Sequence, residues 1–559
     1  MEIYHNSYET EYRKPFGAAP CGSEVQLSLY SPQADSASLR LYTEAEGEKL
    51  LPGEKDSRGY FNWTVKMPSK EGLVWYYFIV KGVDGILCYG NNPQNRGGAG
   101  TVYCEGQTPV SYKISVYHPF SAPQWYKEGI AYSIFPDRFC RASSDNGCGR
   151  YMEEWDTLPY YIRNDDGSIR EWNFWGGDLK GIASKLDHLK SLGVSLIYLN
   201  PIFKARSNHR YDTADYFAID PMLGTEQDFK DLCKKAAKLG IRIMLDGVFN
   251  HTGSDSPYFR EHPDWYLHDQ SGIKCWWGVK DLPEVDELNK EFSKMICGKD
   301  GVLAHWIKEG ASGWRLDVAD ELPNEFLRRI RKAVKSAGKD NVLIGEVWED
   351  ASDKIDYGVR MEFLGGKQLD SVMNYPLRED ILAFTRNEIN AAEFASRQMS
   401  RMENYPKEAF YACFNCIGSH DRERIMTLLG SEKAVKFATV LQYAMPGVPV
   451  IYYGDEFGLD GGRDPENRST IPWDEVPKLQ KHYEALGALR NASRSLKKGD
   501  LRVFSGENDK LIVERSFGAE TLRFCFDPVS LTYGISKLER IELDRFDTKR
   551  RKSTANQQR

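Results

Sequence analysis

The feature of the sequence that most constrains the fold is a series of eight short apolar runs that begins near residue 130. Each run is short enough to be a buried strand, and amphipathic helical patterns separate many of them. The runs are Ile130–Phe135, Leu196–Leu199, Ile241–Leu245, Trp314–Val318, Val342–Val347, Ser371–Met373, Phe410–Phe414 and Val448–Tyr453. Eight strands with intervening helices are typical of a closed (β/α)8 barrel, which we therefore predict.

Two of the intervening helical patterns are well defined. From Asp178 to Leu192 apolar residues recur on one helical face, and Gly193 follows as a stop signal. A second pattern opens with Thr225 and Asp228 in the positions of a capping box. Both patterns predict helices that pack one face against the barrel strands.

The segments outside this alternation predict further domains. Residues 1–122 contain short strands of alternating polarity with turn residues between them, which indicates an N-terminal β-sandwich. The segment 251–290 is too long for a simple loop, and we interpret it as an inserted excursion over the active face. The barrel then occupies 123–250 and 291–489, and 490–559 is expected to be a small C-terminal β domain with a polar tail.

Composition excludes several classes of protein. Lys plus Arg number 74 and Asp plus Glu number 81, so the net charge of −7 argues against a partner that is nucleic acid or an anionic membrane. The most apolar long run, Phe437–Tyr453, is interrupted by proline and glycine and is not expected to span a membrane. Eleven scattered cysteines and an N-terminus without a signal-peptide pattern predict a reducing, cytoplasmic location.

Polar residues cluster at the carboxyl ends of the predicted strands, where barrels place their functional side chains. Asp317, Glu346 and Asp421 come from three different strand ends, and Arg315, His251 and His420 accompany them. Stability alone gives no reason to gather three carboxylates, because like charges in one cleft repel each other. The set therefore indicates a catalytic site.

Cleavage of a glycosidic bond requires such a set. A retaining glycosidase uses one carboxylate as nucleophile and one carboxylic acid as proton donor, about 5–5.5 Å apart. Arg315 precedes Asp317 by two residues, so both side chains lie on one face of the strand and the cation favours an ionised nucleophile. Trp348 stands two residues after Glu346, an apolar setting suited to a protonated acid. Asp421 would then stabilise the developing positive charge, and the two histidines would donate to sugar hydroxyls.

These stretches resemble the α-amylase superfamily, glycoside hydrolase family thirteen. Its four signature regions occur in the family's order as DGVFNH (246–251), GWRLDVADE (313–321), GEVWED (345–350) and CIGSHD (416–421). The resemblance implies Asp317 as nucleophile, Glu346 as acid/base and Asp421 as transition-state stabiliser. It also implies Arg315, His251 and His420 at the sugar subsite next to the cleaved bond.

The resemblance extends to further substrate-binding residues. It implies that Tyr211 stacks on the same sugar and that Asp464 and Arg468 contact the next one. Trp276 and Trp277, in the predicted excursion, are expected to form a sugar platform, with a small local core as the alternative. Trp348 is expected to contact substrate beside Glu346.

Within the superfamily the chain looks most like the neopullulanase, cyclomaltodextrinase and maltogenic amylase group, yet it departs from that group at product-side positions. The group usually has Asn where this chain has Asp320, and His is commoner at the position of Glu349. Bond preference is therefore left open between α-1,4 and α-1,6 linkages. The alternatives are an amylopullulanase, a plain α-amylase, a 4-α-glucan transglycosylase and a non-catalytic glucan-binding protein.

The resemblance also bears on cofactors and partners. No organic cofactor is expected. Asn146 and Asp178 match the calcium loop of the neopullulanase group, but Arg141 and Ser143 replace expected oxygen ligands, so calcium is an open expectation. The expected partner is an α-glucan oligosaccharide or polysaccharide, and the resemblance implies a homodimer through the N-terminal domain.

Overall fold

Eight parallel strands form the central sheet of the protein, for which a computed structural model describes residues 1–143, 148–165, 167, 169–270 and 272–539. Barrel strands β1 to β8 are Ala131–Ile134, Leu196–Leu199, Arg242–Gly247, Gly313–Leu316, Val342–Gly345, Ser371–Val372, Phe414–Cys416 and Val448–Tyr452. Their order in the sheet is β6-β5-β4-β3-β2-β1-β8-β7. A parallel bridge between Met373 and Phe414 joins β6 to β7. The predicted barrel is confirmed.

Burial explains why the strands read as continuous apolar runs. Every residue of β1, β2, β4 and β5 is buried. Parallel strands in a barrel are covered by side chains inside and by helices outside, so both of their faces are apolar.

Helices cover the outside of the barrel. Helices α1 to α13 are Leu179–Ser184, Leu186–Ser191, Glu226–Lys238, Lys290–Cys297, Val302–Glu309, Asn324–Ala337, Tyr375–Thr385, Ala391–Asn404, Lys407–Phe410, Ile425–Leu429, Glu432–Ala444, Gln480–Ala492 and Arg494–Lys498. Thr225 and Asp228 form the predicted capping box of α3. The helix predicted from Asp178 to Leu192 is interrupted at Lys185, which separates α1 from α2.

Two details of the barrel differ from the sequence prediction. The seventh strand begins at Phe414, because Lys407–Phe410 is helical and only the end of the predicted run is extended. Between β5 and β6 the chain forms a hairpin, Ile355–Asp356 paired with Val359–Arg360, in place of a helix. Short apolar runs do not distinguish a strand from a buried helix, which explains the first difference.

The N-terminal region forms two antiparallel-rich sheets that pack as the predicted sandwich. One contains Arg13–Lys14, Glu24–Tyr30, Glu54–Lys55 and Tyr60–Lys66, and the other contains Ala19–Pro20, Ser36–Thr43, Gly47–Pro52, Gly72–Gly82, Gly85–Gly90, Thr101–Tyr103 and Tyr112–Tyr117. Alternate residues of the longer strands are buried between the sheets, as in Glu24–Tyr30. A buried ion pair joins the sandwich to the barrel, with Arg13 Nη1 2.5 Å from Glu403 Oε1 on α8.

The C-terminal strands form a four-stranded antiparallel sheet, Asp500–Ser505, Leu511–Phe517, Glu520–Asp527 and Thr532–Glu539. The first strand begins later than predicted, because α12 and α13 occupy the chain to Lys498. The buried Arg515 guanidinium donates to the carbonyl oxygens of Ala444, Leu496 and Gly499 and so anchors this sheet on the barrel. The predicted polar tail after Glu539 lies outside the described residues.

Two excursions rise from the carboxyl ends of the barrel strands. The segment after β3 contains the short helix Pro257–Glu261 and the strands His268–Asp269 and Gly272–Ile273, and it returns along His251 through a bridge to Glu284. A further excursion follows the short helix Pro136–Phe139 and includes the hairpin Ile162–Arg163 and Ile169–Glu171. Among the described residues, no helix is both long enough and apolar enough to cross a membrane.

Candidate active site

A cleft of about 810 Å³ opens at the carboxyl end of the barrel. It contains the three carboxylates that the sequence singles out, because each follows a different strand. Asp317 comes directly after β4 and Glu346 directly after β5, and Asp421 lies in the loop after β7. The structure therefore brings together residues that are far apart along the chain.

Arg315 is the centre of the charge network below the cleft. Its Nη1 lies 2.8 Å from Asp317 Oδ1, and its Nη2 lies 2.9 Å from Glu346 Oε2. Both carboxylates thus contact one planar guanidinium, a geometry consistent with the separation of about 5–5.5 Å that a retaining pair requires. The arrangement agrees with the prediction that Arg315 and Asp317 share a face of β4.

Asp246 is a fourth carboxylate of this network that the sequence reasoning did not select. It lies on β3 directly opposite Arg315 in the strand register, and its two oxygens are 2.8 and 2.9 Å from Arg315 Nη1. Tyr198 and Tyr211 also donate to its Oδ2. Because Asp246 shares the Arg315 charge, less of that charge is available to neutralise the catalytic pair.

Burial raises the pKa of each of the three cleft carboxylates. It raises the pKa of Glu346 to about 7, against an opposing effect of Arg315. Burial also raises the pKa of Asp317 and of Asp421, and for both residues Arg315 acts in the opposite direction. A carboxyl group whose pKa is raised in this way can hold a proton near neutral pH, which general acid catalysis requires.

The backbone after Asp317 is shaped to meet Glu346. Val318 has φ of 46°, in the left-handed region that is unfavourable for a β-branched residue and costs of order 1–3 kcal/mol. In this conformation its N–H donates to Glu346 Oε2 at 2.9 Å. The hydrogen bond holds one oxygen of Glu346 and leaves the other available to carry a proton.

Of the predicted sugar-binding residues, Tyr211 and His251 line the same cleft, whereas His420 is buried against Tyr211 and is not among the lining residues. His420 and Tyr211 lie with their ring planes 7° apart, and the Tyr211 hydroxyl is 2.6 Å from His420 Nε2. His251 is fully buried, and its Nε2 has no hydrogen-bond partner among the described residues. Burial lowers the pKa of His251 to about 4 and the pKa of His420 as well, so both rings are neutral. The free Nε2 of the neutral His251 ring suits contact with a sugar hydroxyl, whereas both ring nitrogens of His420 already contact protein groups, Asn200 and Tyr211.

Asp464 and Arg468 form the wall of the cleft on one side. Arg468 Nη1 lies 2.8 Å from Asp464 Oδ1, and the hydroxyl of Tyr161 donates to the same carboxylate. Tyr161 belongs to the excursion after β1, as does Trp172, whose ring packs edge-on against His209 at 4.7 Å. This excursion was not predicted, and through Tyr161 and Trp172 it supports the cleft-lining residues Asp464 and His209.

Trp348 lines the cleft but is already in contact with protein groups. Its ring stacks on Tyr375 at 3.9 Å with 10° between the planes, and the Arg422 guanidinium lies 4.5 Å from its centroid. Trp348 therefore forms part of the cleft floor beside Glu346. Because Tyr375 and Arg422 cover part of its ring, less of the ring is free to contact a sugar than we predicted.

Trp276 and Trp277 differ in their surroundings. Trp276 stacks on His251 with 5.1 Å between the ring centroids, whereas Trp277 is 80% exposed and donates its Nε1 hydrogen to Glu321 at 3.1 Å. Trp277 is thus the member of the pair with a free aromatic surface. Tyr357, at the tip of the hairpin after β5, is also exposed and lines the same side of the cleft.

The two departures from the family pattern meet at one lysine. Lys354 Nζ lies 2.8 Å from Asp320 and 2.5 Å from Glu349. No pattern in the sequence pointed to Lys354, which directly precedes the hairpin between β5 and β6. The product-side wall, the name we give to the cleft wall at Asp320 and Glu349 because the family resemblance assigns these positions to the product side, is therefore a cross-linked polar surface.

The described residues do not fit a calcium site at Asp178. Its Oδ1 accepts the N–H of Gly181 and caps α1, and its Oδ2 accepts the N–H of Ala142 in the loop after Pro136–Phe139, so both oxygens already hold backbone N–H groups. Calcium requires six to eight oxygen ligands, and no group of three or more His, Cys, Asp or Glu side chains able to hold a metal is present in the described part of the chain. Asn146 lies outside the described residues.

Comparison with known proteins gives a consistent result. The model of the alpha amylase catalytic domain matches residues 133–281 and 263–495. Neopullulanase 2 of Thermoactinomyces vulgaris is 36% identical over 81% of this chain and 77% of its own length. The amylopullulanase of Thermoanaerobacterium saccharolyticum is 35% identical over 92% of this chain, and the chain spans 46% of the length of that relative.

A solved structure supports the same relationship. The cyclic alpha-maltosyl-(1→6)-maltose hydrolase from Arthrobacter globiformis, in complex with that cyclic sugar, superposes with a TM-score of 0.67 at 29% identity. The match covers 75% of this chain and 98% of the solved chain.

Proposed function

The chain belongs to the α-amylase family of glycoside hydrolases, and on that basis we propose that it is a retaining hydrolase of α-linked glucans. The observation that carries the proposal is the convergence of Asp317, Glu346 and Asp421 on one cleft, with the first two on a single guanidinium. This convergence supports the proposal that a nucleophile and a proton donor act on one scissile bond.

In the first step Asp317 attacks the anomeric carbon while Glu346 protonates the glycosidic oxygen. We assign the ionised state to Asp317 because it accepts a hydrogen bond from Arg315 at 2.8 Å. The proton belongs to Glu346, whose pKa of about 7 keeps much of it protonated at neutral pH. The carbon–oxygen bond to the leaving sugar breaks, and a covalent glycosyl ester forms on Asp317.

In the second step Glu346, now ionised, removes a proton from water. The resulting oxygen attacks the anomeric carbon and releases Asp317, so the configuration at that carbon is retained. Asp421 stabilises the positive charge that develops on the sugar ring in both steps. His251, His420 and Tyr211 position the same ring.

The charge of the cleft suits a neutral substrate. Its lining carboxylates are Asp317, Asp320, Glu321, Glu346, Glu349, Asp356, Asp421 and Asp464, whereas its lining cations are Lys354, Arg422 and Arg468. This excess of negative charge favours a transition state with positive charge and disfavours phosphorylated sugars. Maltooligosaccharides, cyclodextrins, pullulan and starch are neutral glucans and remain the proposed substrates.

The product-side wall supports a second activity. Trp277 and Tyr357 present exposed aromatic surfaces there, and Glu321 and Lys354 supply polar contacts. An acceptor sugar held on this wall could take the place of water in the second step and give transglycosylation. We therefore propose transfer to acceptor sugars alongside hydrolysis.

The proposal is tested by product analysis of wild type and of the variant Asp317→Ala. The wild type should release reducing sugar from maltotriose, β-cyclodextrin, pullulan or starch, and the variant should lose release by several orders of magnitude. Equal inactivity of both proteins on all four substrates would support a glucan-binding protein without catalysis. The initial anomer of the product, followed by NMR, tests retention.

We also propose that catalysis needs no cofactor or metal ion, and the occupation of both Asp178 oxygens by backbone N–H groups supports this. Dialysis against EDTA should leave activity and thermal midpoint unchanged, and restoration of lost activity by calcium would refute the idea.

A reducing, cytoplasmic location is supported by the buried thiols of Cys413 and Cys416. A homodimer through the N-terminal sheets is a further proposal, which light scattering after gel filtration tests.

A further inference from the structure

A groove on the outer surface of the barrel collects five cations. It lies between α4, α5 and α6, has a volume of about 600 Å³ and shares no lining residue with the active cleft. The cations are Lys290, Lys294, Lys299, Arg329 and Lys332. No carboxylate of the described residues lines it, although the chain as a whole is acidic.

Four of these five cations have no ion-pair partner within the described chain. Arg329 is the exception, because its Nε lies 3.1 Å from Glu325 Oε1 and its Nη1 donates to Ser293 Oγ at 3.1 Å. By contrast, Lys230 on the neighbouring helix α3 is paired with both Glu226 and Glu309. The groove therefore concentrates positive charge that the protein does not neutralise.

Helix stability does not explain the placement of these residues. Lys294 lies in the last turn of α4, where a cation is favourable, but Lys290 is its first residue, where a cation is unfavourable. Lys290 and Lys294 are four residues apart, and Arg329 and Lys332 on α6 are three apart, so each helix brings like charges together. Such pairs cost about 0.2–0.5 kcal/mol each on a helix surface. An external anion would remove this repulsion.

The groove also has room for a ligand. Several of its lining residues are small, namely Ser293, Gly298, Ala304, Ala333, Ser336 and Ala337. Its volume falls within the range of roughly 300–1,000 Å³ that is usual for small-molecule sites. The serines can donate hydrogen bonds, and the alanines leave space for an uncharged part of a ligand.

We propose that this groove binds a small polyanion that carries at least two phosphate groups. Five cations in one concave site match the charge of such a ligand better than that of a single phosphate. A long polyanion is disfavoured, because the net charge of −7 repels it beyond the groove. The acidic cleft excludes the same ligand, so the two sites do not compete.

The test uses calorimetric titration of the full chain with inorganic tripolyphosphate at about 50 mM salt, where charge interactions are only partly screened. The double variant K294E/K332E reverses two groove charges. The matched control K234E/K238E makes the same net change at two exposed lysines of α3. The variant K294Q/K332Q removes the same two charges without introducing carboxylates. It serves as a second test in case the charge reversal prevents folding.

We expect one binding site per chain, a loss of affinity of about tenfold or more in K294E/K332E, an intermediate loss in K294Q/K332Q and less than about twofold change in the control. Equal weakening by the groove and control variants, or the absence of saturable binding, would overturn the proposal.

A second titration distinguishes the source of the phosphate groups. ATP that displaces tripolyphosphate from the same site would assign organic phosphates to the groove, whereas tripolyphosphate binding without ATP competition would assign an inorganic polyphosphate. Both results support the site. Tighter binding of heparin, with several chains of protein per polymer, would instead show a surface for long polyanions and refute a small-molecule site. Hydrolysis by the groove variants should equal that of wild type.

Discussion

Replacement of Glu346 by glutamine should stabilise the protein at alkaline pH while it abolishes hydrolysis. The side chain is 5% exposed, and burial raises its pKa from 4.5 to about 7. Between these pH values the folded protein keeps the proton that the unfolded chain releases. The stabilisation that comes from the raised pKa of Glu346 is therefore fully present below about pH 4.5 and is lost as the pH rises through about 7.

The size of the effect follows from the same two values. The difference between 4.5 and about 7 corresponds to about 3 kcal/mol of unfolding free energy, all of it lost above pH 7. Glutamine carries no charge at any pH, has nearly the same shape and can still accept the Val318 N–H. The gain in E346Q should thus be close to zero at pH 4.5 and approach 3 kcal/mol near pH 8.

The assay is thermal and urea unfolding of wild type and E346Q at pH 5 and pH 8. The control is E349Q, which removes the largely exposed carboxylate three residues later and should give no comparable difference between the two pH values. Equal destabilisation of E346Q at both pH values would refute the reasoning, since it would mean that Glu346 is ionised at little cost. Loss of activity on maltotriose with activity kept on maltosyl fluoride, whose leaving group needs no proton, would identify the role of the acid.

Three further predictions address other parts of the structure. Asp246→Asn should lower kcat and shift the alkaline limb of the pH–rate profile to lower pH, because Arg315 then acts more strongly on Glu346; an unchanged profile would contradict the charge network. Trp277→Ala should change unfolding free energy by less than about 0.5 kcal/mol, since the ring is exposed, but should raise KM for long oligosaccharides; an unchanged KM would remove it from the product-side wall. Arg515→Met should destabilise the chain by about 3 kcal/mol, because buried carbonyls lose their donors; denaturant unfolding with Arg502→Met as the exposed control measures this.

Much of the fold could be predicted from the sequence, because the buried strands of a barrel appear in the sequence as short apolar runs. Leu196–Leu199 is a strand with the predicted bounds, since an apolar run between a glycine stop and a proline has few other conformations available. The run from Phe410 to Phe414 was misplaced because it reads equally well as a buried helix. The hairpin at 355–360 was missed because its short strands carry no periodicity.

Residues of the site could be predicted only where a short stretch of sequence is enough to recognise them. Asp317, Glu346 and Asp421 are recognisable because each lies at or beyond the carboxyl end of an apolar run, and all three line the cleft. Asp246 also ends such a run, but its importance lies in its register with Arg315 on the next strand, which a single sequence does not contain. Lys354 lines the cleft and Tyr161 contacts the lining residue Asp464, and both lie in segments whose paths depend on tertiary packing.

The bridge between Met373 and Phe414 gives the barrel a weak seam. β6 has two residues and meets β7 through that bridge alone, while β4 and β5 are paired along their length. Local opening follows the least hydrogen-bonded path, so amide exchange should be fastest at this seam. Asp421 follows β7 on one side of this seam, whereas Asp317 and Glu346 follow β4 and β5 on the other side. Opening at this seam would move Asp421 away from the sugar, while the pairing of β4 with β5 keeps Asp317 and Glu346 together.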